Sequence, residues 1–172
     1  MGTRSTIGIL NQDGSVGTIY CHWDGYPAWV GKILLAHYNE EAKVRDLIAL
    51  GDLSSMGETI GEKHDFDYGI KFDTESPEYK RLEKMCNAYG RDRGEKNVGG
   101  QRHTCIESAN LDYGQSWCEF FYLFDTSTQS WKIRYGKAPF RKLTKALCKD
   151  CSNASKTVNV AVVLSEAHQS SL

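Results

Sequence analysis

The stretch WCEFFYLFD, residues 117–125, is the strongest strand signal in the chain. It is dominated by aromatic residues, which are enriched in β-strands. A polar turn separates it from WKIRY, residues 131–135, which has the same character. The two runs therefore predict a β-hairpin.

A second hairpin is predicted near the start of the chain. Residues 3–10 and 16–21 are rich in β-branched and aromatic side chains, and they flank the segment NQDG at 11–14. An Asp-Gly pair between two such runs is typical of a tight turn.

Apolar residues recur at helical spacing in segments between and after the hairpins. Apolar residues predict one helix from Pro27 and another that ends before Gly51, a residue type common just past a helix. Ser76 and Pro77 form a typical helix start, and the periodicity carries this third helix to about Gly90. A fourth helix is predicted over 140–148, and strands are predicted over 64–72 and 158–164.

These elements predict an α+β fold. We expect a single domain over 1–165, with a mainly antiparallel sheet built from two hairpins and three to four helices packed on it, because strands joined by tight turns pair antiparallel. Residues 52–62 are predicted to form a surface loop. Residues 91–102 carry charges and glycines but few apolar side chains, so they are predicted to form a flexible loop or a subdomain boundary. Residues 166–172 are a polar tail.

Composition excludes several classes of protein. The chain has 172 residues and a formal net charge of -1, which argues against a strongly basic nucleic-acid binder. No apolar run approaches the roughly 18 residues of a membrane span, and no export signal is recognisable. We therefore expect a cytoplasmic protein with no membrane partner, whose six cysteines are reduced.

The segment YCHWDGYP, residues 20–27, carries the densest chemistry in the sequence. It combines a thiol, an imidazole, a carboxylate and three aromatic rings at a predicted strand-to-helix turn. Gly25 and Pro27 suit a chain that leaves a strand and opens a helix. This motif is predicted to form one wall of the principal site.

Four motifs together resemble a family of small bacteriophage accessory proteins: GTRSTI at 2–7, the motif at 20–27, LGDLSS at 50–55 and AYGRDRGE at 88–95. The resemblance covers the first hundred residues. It implies expression in the cytoplasm of an infected bacterium and a role in binding and disabling host factors. The family pattern carries no activity over to this chain, so the chemistry has to be argued from its residues.

Cysteine-dependent catalysis is one such chemistry. Cys21, His22 and Asp24 include the residue types of a nucleophile, a base and an orienting carboxylate. Neighbours on a strand point to opposite faces, however, so Cys21 would need a more distant histidine such as His64 or His103. The alternative is that Cys21 is a small buried apolar residue.

Metal binding is a second possibility. Cys148 and Cys151 have the spacing of half a zinc site, but no second pair of ligands matches them. The alternative is two reduced thiols at a surface helix end. We therefore expect no metal and no cofactor.

Nucleotide binding is a third possibility. Trp23, Tyr26 and Trp29 offer stacking surfaces, and Arg91 and Arg93 offer guanidinium groups that can grip phosphate. The alternative is that the rings pack in the core and that the arginines pair with Asp92 and Glu95.

Because the motifs resemble those of bacteriophage accessory proteins and no catalytic constellation stands out, we expect a stoichiometric binding protein that inhibits a host factor, with a bacterial antiviral defence system as the first candidate. The alternative is a protein that binds, sequesters or hydrolyses a nucleotide. No catalytic residue is assigned. The predicted binding residues are Cys21, His22, Trp23, Asp24, Tyr26, Trp29, Arg91, Asp92 and Arg93.

Overall fold

A computed structural model describes residues 2–149 of the chain. Within these residues the backbone forms an eight-stranded mixed sheet whose order is β4-β3-β2-β1-β6-β7-β8, with β5 also paired to β2. The strands are β1 (Ser5–Leu10), β2 (Val16–Cys21), β3 (Leu53–Ser55), β4 (Asn87–Ala88), β5 (Gln101–His103), β6 (Phe120–Asp125), β7 (Ser130–Tyr135) and β8 (Arg141–Lys142).

Both predicted hairpins are confirmed, since β1 pairs antiparallel with β2 and β6 pairs antiparallel with β7. The expectation of a sheet made only from two hairpins is corrected by two parallel pairings. β1 lies parallel to β6, from Ser5 opposite Phe120 to Leu10 opposite Asp125, and β2 pairs parallel with β3. A tight turn fixes the pairing inside one hairpin only, whereas the contact between the two hairpins depends on burial of distant apolar residues.

The α-helices in the described part of the chain are α1 (Lys32–His37), α2 (Glu41–Leu50), α3 (Tyr68–Lys71), α4 (Pro77–Leu82), α5 (Tyr89–Arg93) and α6 (Ile106–Gln115). A π-helical turn over Pro27–Gly31 leads into α1. The helices predicted from Pro27 and before Gly51 are thus confirmed, and Gly51 has a φ of 85° at the end of α2. At the start of α4 the backbone N–H of Tyr79 donates to the hydroxyl of Ser76 at 3.2 Å.

Tertiary pairing overrides local periodicity in the middle of the chain. The predicted third helix ends at Leu82 instead of Gly90, because the backbone of the next residues bonds to Thr59: Thr59 N–H donates to Lys84, and Cys86 N–H donates to Thr59. The predicted loop over 52–62 contains β3, and the predicted strand over 64–72 contains α3.

One further expectation is corrected, the bounds of one predicted loop are narrowed to 94–100, and one helix was missed. The predicted loop over 91–102 begins inside α5 and ends in β5, and 140–148 contains β8 and turns where a helix was expected. The sequence gave no prediction for α6. The predicted strand over 158–164 and the tail over 166–172 lie outside the described residues.

The sheet packs on both faces. One face carries Ile7, Ile19 and Tyr122, which form the main core with residues of α1 and α2. The other face carries Val16, Phe121 and Leu123 and is covered by Ala109 and Tyr113 of α6. Because β-strand side chains alternate, Thr6, Thr18 and Tyr20 project on this second face. None of the described helices is long and apolar enough to cross a membrane.

Candidate functional site

Cys21 lies in the main core and is fully buried at the end of β2. Burial raises the pKa of its thiol, so the group stays protonated at neutral pH. The Sγ atom lies 3.6 Å from the carbonyl oxygen of Trp23. The surroundings of Cys21 are those of a structural cysteine rather than a nucleophile.

His22 lies on the opposite side of the strand from Cys21. Its Nδ1 is 2.7 Å from the hydroxyl of Tyr20, and its ring packs edge-on against Trp23 with centroids 4.6 Å apart. Burial, and then the positive charge of Arg4, lower the pKa of His22, which keeps the imidazole neutral at pH 7.

The rest of the motif turns at the surface. Trp23 and Trp29 are each 46% exposed, whereas Pro27 is buried. Asp24 adopts a φ of 56° and accepts a hydrogen bond from the side chain of Tyr26. Two of the three predicted stacking rings are therefore available to solvent.

Arg91 and Asp92 form an internal network. The Arg91 Nε and Nη2 donate to Asp92 at 2.8 and 2.9 Å, and other guanidinium N–H groups donate to the carbonyl oxygens of Ile60, Gly61 and Cys86. All of these acceptors belong to the same chain, so the hydrogen-bonding groups of this guanidinium are occupied internally.

The carboxylate of Asp92 is the centre of that network and is fully buried. It accepts hydrogen bonds from the backbone N–H groups of Ala88 and His64 as well as from Arg91. Burial alone would raise the pKa of Asp92, but these donors outweigh it and hold the pKa below its usual value.

Arg93 is more exposed and pairs with Glu95 at 3.0 Å, with its guanidinium over the ring of Phe66. The contacts of Arg91 and Arg93 are thus with neighbouring polar groups and with the ring of Phe66.

A polar cavity of about 380 Å³ opens on the second face of the sheet, and we call it the α6 cavity. Strands β1 and β2 form its floor, and the C-terminal end of α6 forms a wall. Its side chains are mostly hydrogen-bonding groups, and the residues around it are Thr6, Thr18, Ile19, Tyr20, Asp52, Gln101, Asp112, Gln115, Ser116 and Cys118.

The cavity exists because one edge of β2 is only partly paired. β5 pairs with Val16 to Thr18, and β3 pairs with Cys21, which leaves a gap between them. In this gap the backbone N–H of Tyr20 donates to Oδ1 of Asp52 at 2.8 Å. A side-chain carboxylate thus replaces the strand partner that the edge lacks.

The α6 cavity has an excess of negative charge and of hydrogen-bond acceptors. Burial raises the pKa of Asp52, and the Tyr20 N–H only partly opposes this effect. Asp112 adds a second carboxylate beside the helix C-terminus, which carries partial negative charge. No lysine or arginine is among the described residues that line it.

Arg4 lies at one end of the cavity, where its guanidinium bonds the hydroxyl of Tyr20. Its charge also acts on Cys118 and Glu119. Burial raises the pKa of the Cys118 thiol and of the Glu119 carboxyl, and the Arg4 charge opposes both shifts. Arg4 therefore interacts with Tyr20, Cys118 and Glu119 at this end of the sheet.

Two large apolar side chains are exposed next to the cavity. Trp117 is 85% exposed and lies between Ser116 and Cys118, both of which line the cavity. Leu111 is 68% exposed and precedes the lining residue Gln115 by one helical turn, so both lie on the same face of α6. A polar cavity with an apolar rim is typical of a binding surface.

A larger groove of about 760 Å³ lies at the turn of the first hairpin. Its charged residues have partners within the chain, since Arg45 pairs with Glu41 at 2.7 Å and the charge of Arg102 acts on Asp13. None of the exposed large apolar side chains in the described part of the chain is adjacent in sequence to its lining residues. The α6 cavity is therefore the stronger candidate site.

Of the residues that line this cavity, only Tyr20 belongs to the predicted wall at 20–27, and Asp52, Asp112 and Trp117 were not predicted as site residues. Trp117 was assigned to a strand, but it lies just before β6. Asp52 follows Gly51, whose positive φ redirects the chain at the end of α2. No local signal marks Asp112, because α6 itself was not predicted.

No three histidine, cysteine or acidic residues in the described part of the chain lie close enough together to hold a metal ion. Cys148 is described, but its predicted partner Cys151 lies outside the described residues. Comparisons with protein-family models, with curated proteins and with solved structures found no match to this chain.

Proposed function

We propose that this protein acts by stoichiometric binding to a host factor in the cytoplasm of a bacteriophage-infected bacterium, and that the factor belongs to an antiviral defence system. The observation that carries the proposal is the exposure of Trp117 and Leu111 beside the α6 cavity. Exposed tryptophan next to a pocket is typical of the anchors of protein interfaces. The resemblance to bacteriophage accessory proteins supplies the biological setting.

Binding is favoured over turnover by the state of Cys21. Its thiol is buried and protonated, and the neutral His22 lies on the other side of the strand, bonded to Tyr20. A cysteine nucleophile needs an accessible thiolate and a base within reach. Inhibition by occupancy requires neither.

Nucleotide binding is the second candidate, and the exposed rings of Trp23 and Trp29 favour it. Two features argue against it. The guanidinium of Arg91 is engaged by its own chain, and the carboxylates of the α6 cavity repel phosphate.

Phage plating tests the proposal. Bacteria that carry one defence system each would express the protein, and the efficiency of plating of a phage sensitive to that system would be measured. We expect plating to be restored for one system by the wild-type protein and by Ile70→Ala, but not by Trp117→Ala. Ile70 is a matched control because it is 89% exposed, lies on α3 and is not among the residues that line the α6 cavity. Equal loss in both variants, or no loss in Trp117→Ala, would contradict the proposed surface.

A further inference from the structure

We propose that the α6 cavity receives a basic side chain, arginine or lysine, of the partner protein. Leu111 and Trp117 then pack against the apolar surface of the partner that surrounds this side chain. The inference rests on the proposed binding function and names the chemistry of the partner.

The negative charge of the α6 cavity favours a cation. Asp52 is partly buried and accepts a hydrogen bond from a backbone N–H, but no cation lies within 4.0 Å of it among the described residues. A desolvated carboxylate without a cation is costly, and a basic side chain that enters the cavity offsets this cost.

The hydrogen-bond acceptors of the α6 cavity also favour a basic side chain. The carboxylates of Asp52 and Asp112 only accept hydrogen bonds, and the side chains of Thr6, Gln101 and Gln115 can also accept. Guanidinium and ammonium groups carry donors only, so they match this wall. The planar guanidinium also pairs with a carboxylate in bidentate fashion, which favours arginine.

The exposed apolar residues beside the α6 cavity suit the stem of a basic side chain. The stem of an arginine or lysine is apolar and its head is charged, so both parts need a complementary surface. Trp117 and Leu111 provide an apolar surface next to the acidic cavity. Tryptophan also attracts a cation to the face of its ring.

Arg4 does not reverse this preference. Its guanidinium bonds Tyr20 at the end of the sheet, where Glu119 is also within its electrostatic reach. A phosphate group would gain from Arg4 but would face Asp52 and Asp112, so the cavity as a whole favours a cation over an anion.

The test is an NMR titration of the full chain labelled with ¹⁵N. The probes are Nα-acetyl-arginine amide, its neutral analogue Nα-acetyl-norleucine amide, and adenosine monophosphate. We expect saturable shifts of the amides of Tyr20, Asp52 and Gln115 with the arginine probe only. Saturable shifts of these amides with the norleucine probe or with adenosine monophosphate, or no saturable shift with the arginine probe, would overturn the inference.

Matched variants locate the cation. Asp112→Asn changes an exposed residue of the cavity, and we expect it to weaken binding of the arginine probe about tenfold, as expected for loss of one charge-assisted hydrogen bond. Asp46→Asn, an equally exposed change on α2, should leave binding unchanged. Equal effects of the two variants would contradict a local site.

Failure of this inference is distinguishable from failure of the proposed function. If plating depends on Trp117 while the arginine probe does not bind, the protein is a binder with a different anchor. If the arginine probe binds while no defence system is relieved, the cavity is assigned correctly and the proposed function is wrong.

Discussion

The carboxylate of Asp52 accepts a hydrogen bond from the backbone N–H of Tyr20 at 2.8 Å and thereby closes a gap along the edge of β2. The same carboxylate lines the α6 cavity. One residue thus joins the stability of the sheet edge to the charge of the proposed site.

Substitution of Asp52 should separate these two roles. Asp52→Ala leaves the Tyr20 N–H without its acceptor, so we expect the free energy of unfolding to fall by about 1–3 kcal/mol. Asp52→Asn keeps an oxygen acceptor and should cost less, while it still weakens binding of the arginine probe. Urea denaturation measures the first effect, and an Asp52→Ala variant as stable as the wild type would show that the hydrogen bond is not needed.

The Arg91 network predicts strong sensitivity of stability to one arginine and weak sensitivity to its neighbour. Arg91→Ala removes the cation from a fully buried carboxylate, and we expect a loss of about 3–5 kcal/mol. Arg93→Ala removes an exposed pair with Glu95 and should change stability by less than about 1 kcal/mol. The comparison uses urea denaturation, and similar losses in both variants would argue against a structural role that is particular to Arg91.

The lowered pKa of Asp125 predicts that the folded protein loses stability in acid. Burial alone would raise the pKa of Asp125, but hydrogen bonds from Lys132 and Ser127 lower it to about 2, below the ordinary value of 3.8. A carboxylate whose pKa is lower in the folded state stabilises the protein fully above its unfolded-state pKa. This contribution, about 2 kcal/mol, is lost as the pH falls from about 4 to about 2.

The measurement for Asp125 is the free energy of unfolding of the wild type and of Asp125→Asn between pH 7 and pH 2. The difference between the two proteins should be largest at pH 7 and should shrink below pH 4. A difference that stays constant over this range would show that the ion pair with Lys132 does not control the titration.

The burial of Cys21 predicts that its thiol does not react with a thiol reagent in the folded protein. Its burial should protect it from a thiol reagent, so that modification at Cys21 follows global unfolding and accelerates in urea. Cys21→Ser should cost stability, because it buries a hydroxyl group, and should leave inhibition intact in the folded fraction. Peptide mapping after timed labelling gives the rate, and fast labelling under native conditions would return Cys21 to consideration as a nucleophile.

Local patterns predicted the parts of this fold that depend on neighbours in sequence. Turn residues and short-range periodicity determine both hairpins, the helices that end at His37 and Leu50, and the helix cap at Ser76. The short strands β3, β4 and β5 were missed because their pairing depends on distant partners. A window of a few residues does not contain that information.

The site was harder to predict for the same reason. YCHWDGYP was singled out for its chemistry, yet Cys21 is in the core and Tyr20 alone lines the cavity. Asp52 and Asp112 lie far apart in sequence, and only the partly paired edge of β2 and the position of α6 bring them to one cavity. Their convergence is a property of topology rather than of any motif.

The central claim is inhibition by occupancy. It is tested most directly by titrating the purified protein against the purified defence component for which it restores plating, with the active fraction of that component measured at each ratio. We expect a linear loss of activity that ends at one molecule of this protein per target, with Trp117→Ala inactive and Ile70→Ala indistinguishable from wild type. Inactivation of many target molecules by one molecule of this protein would contradict it and would show that the protein is an enzyme.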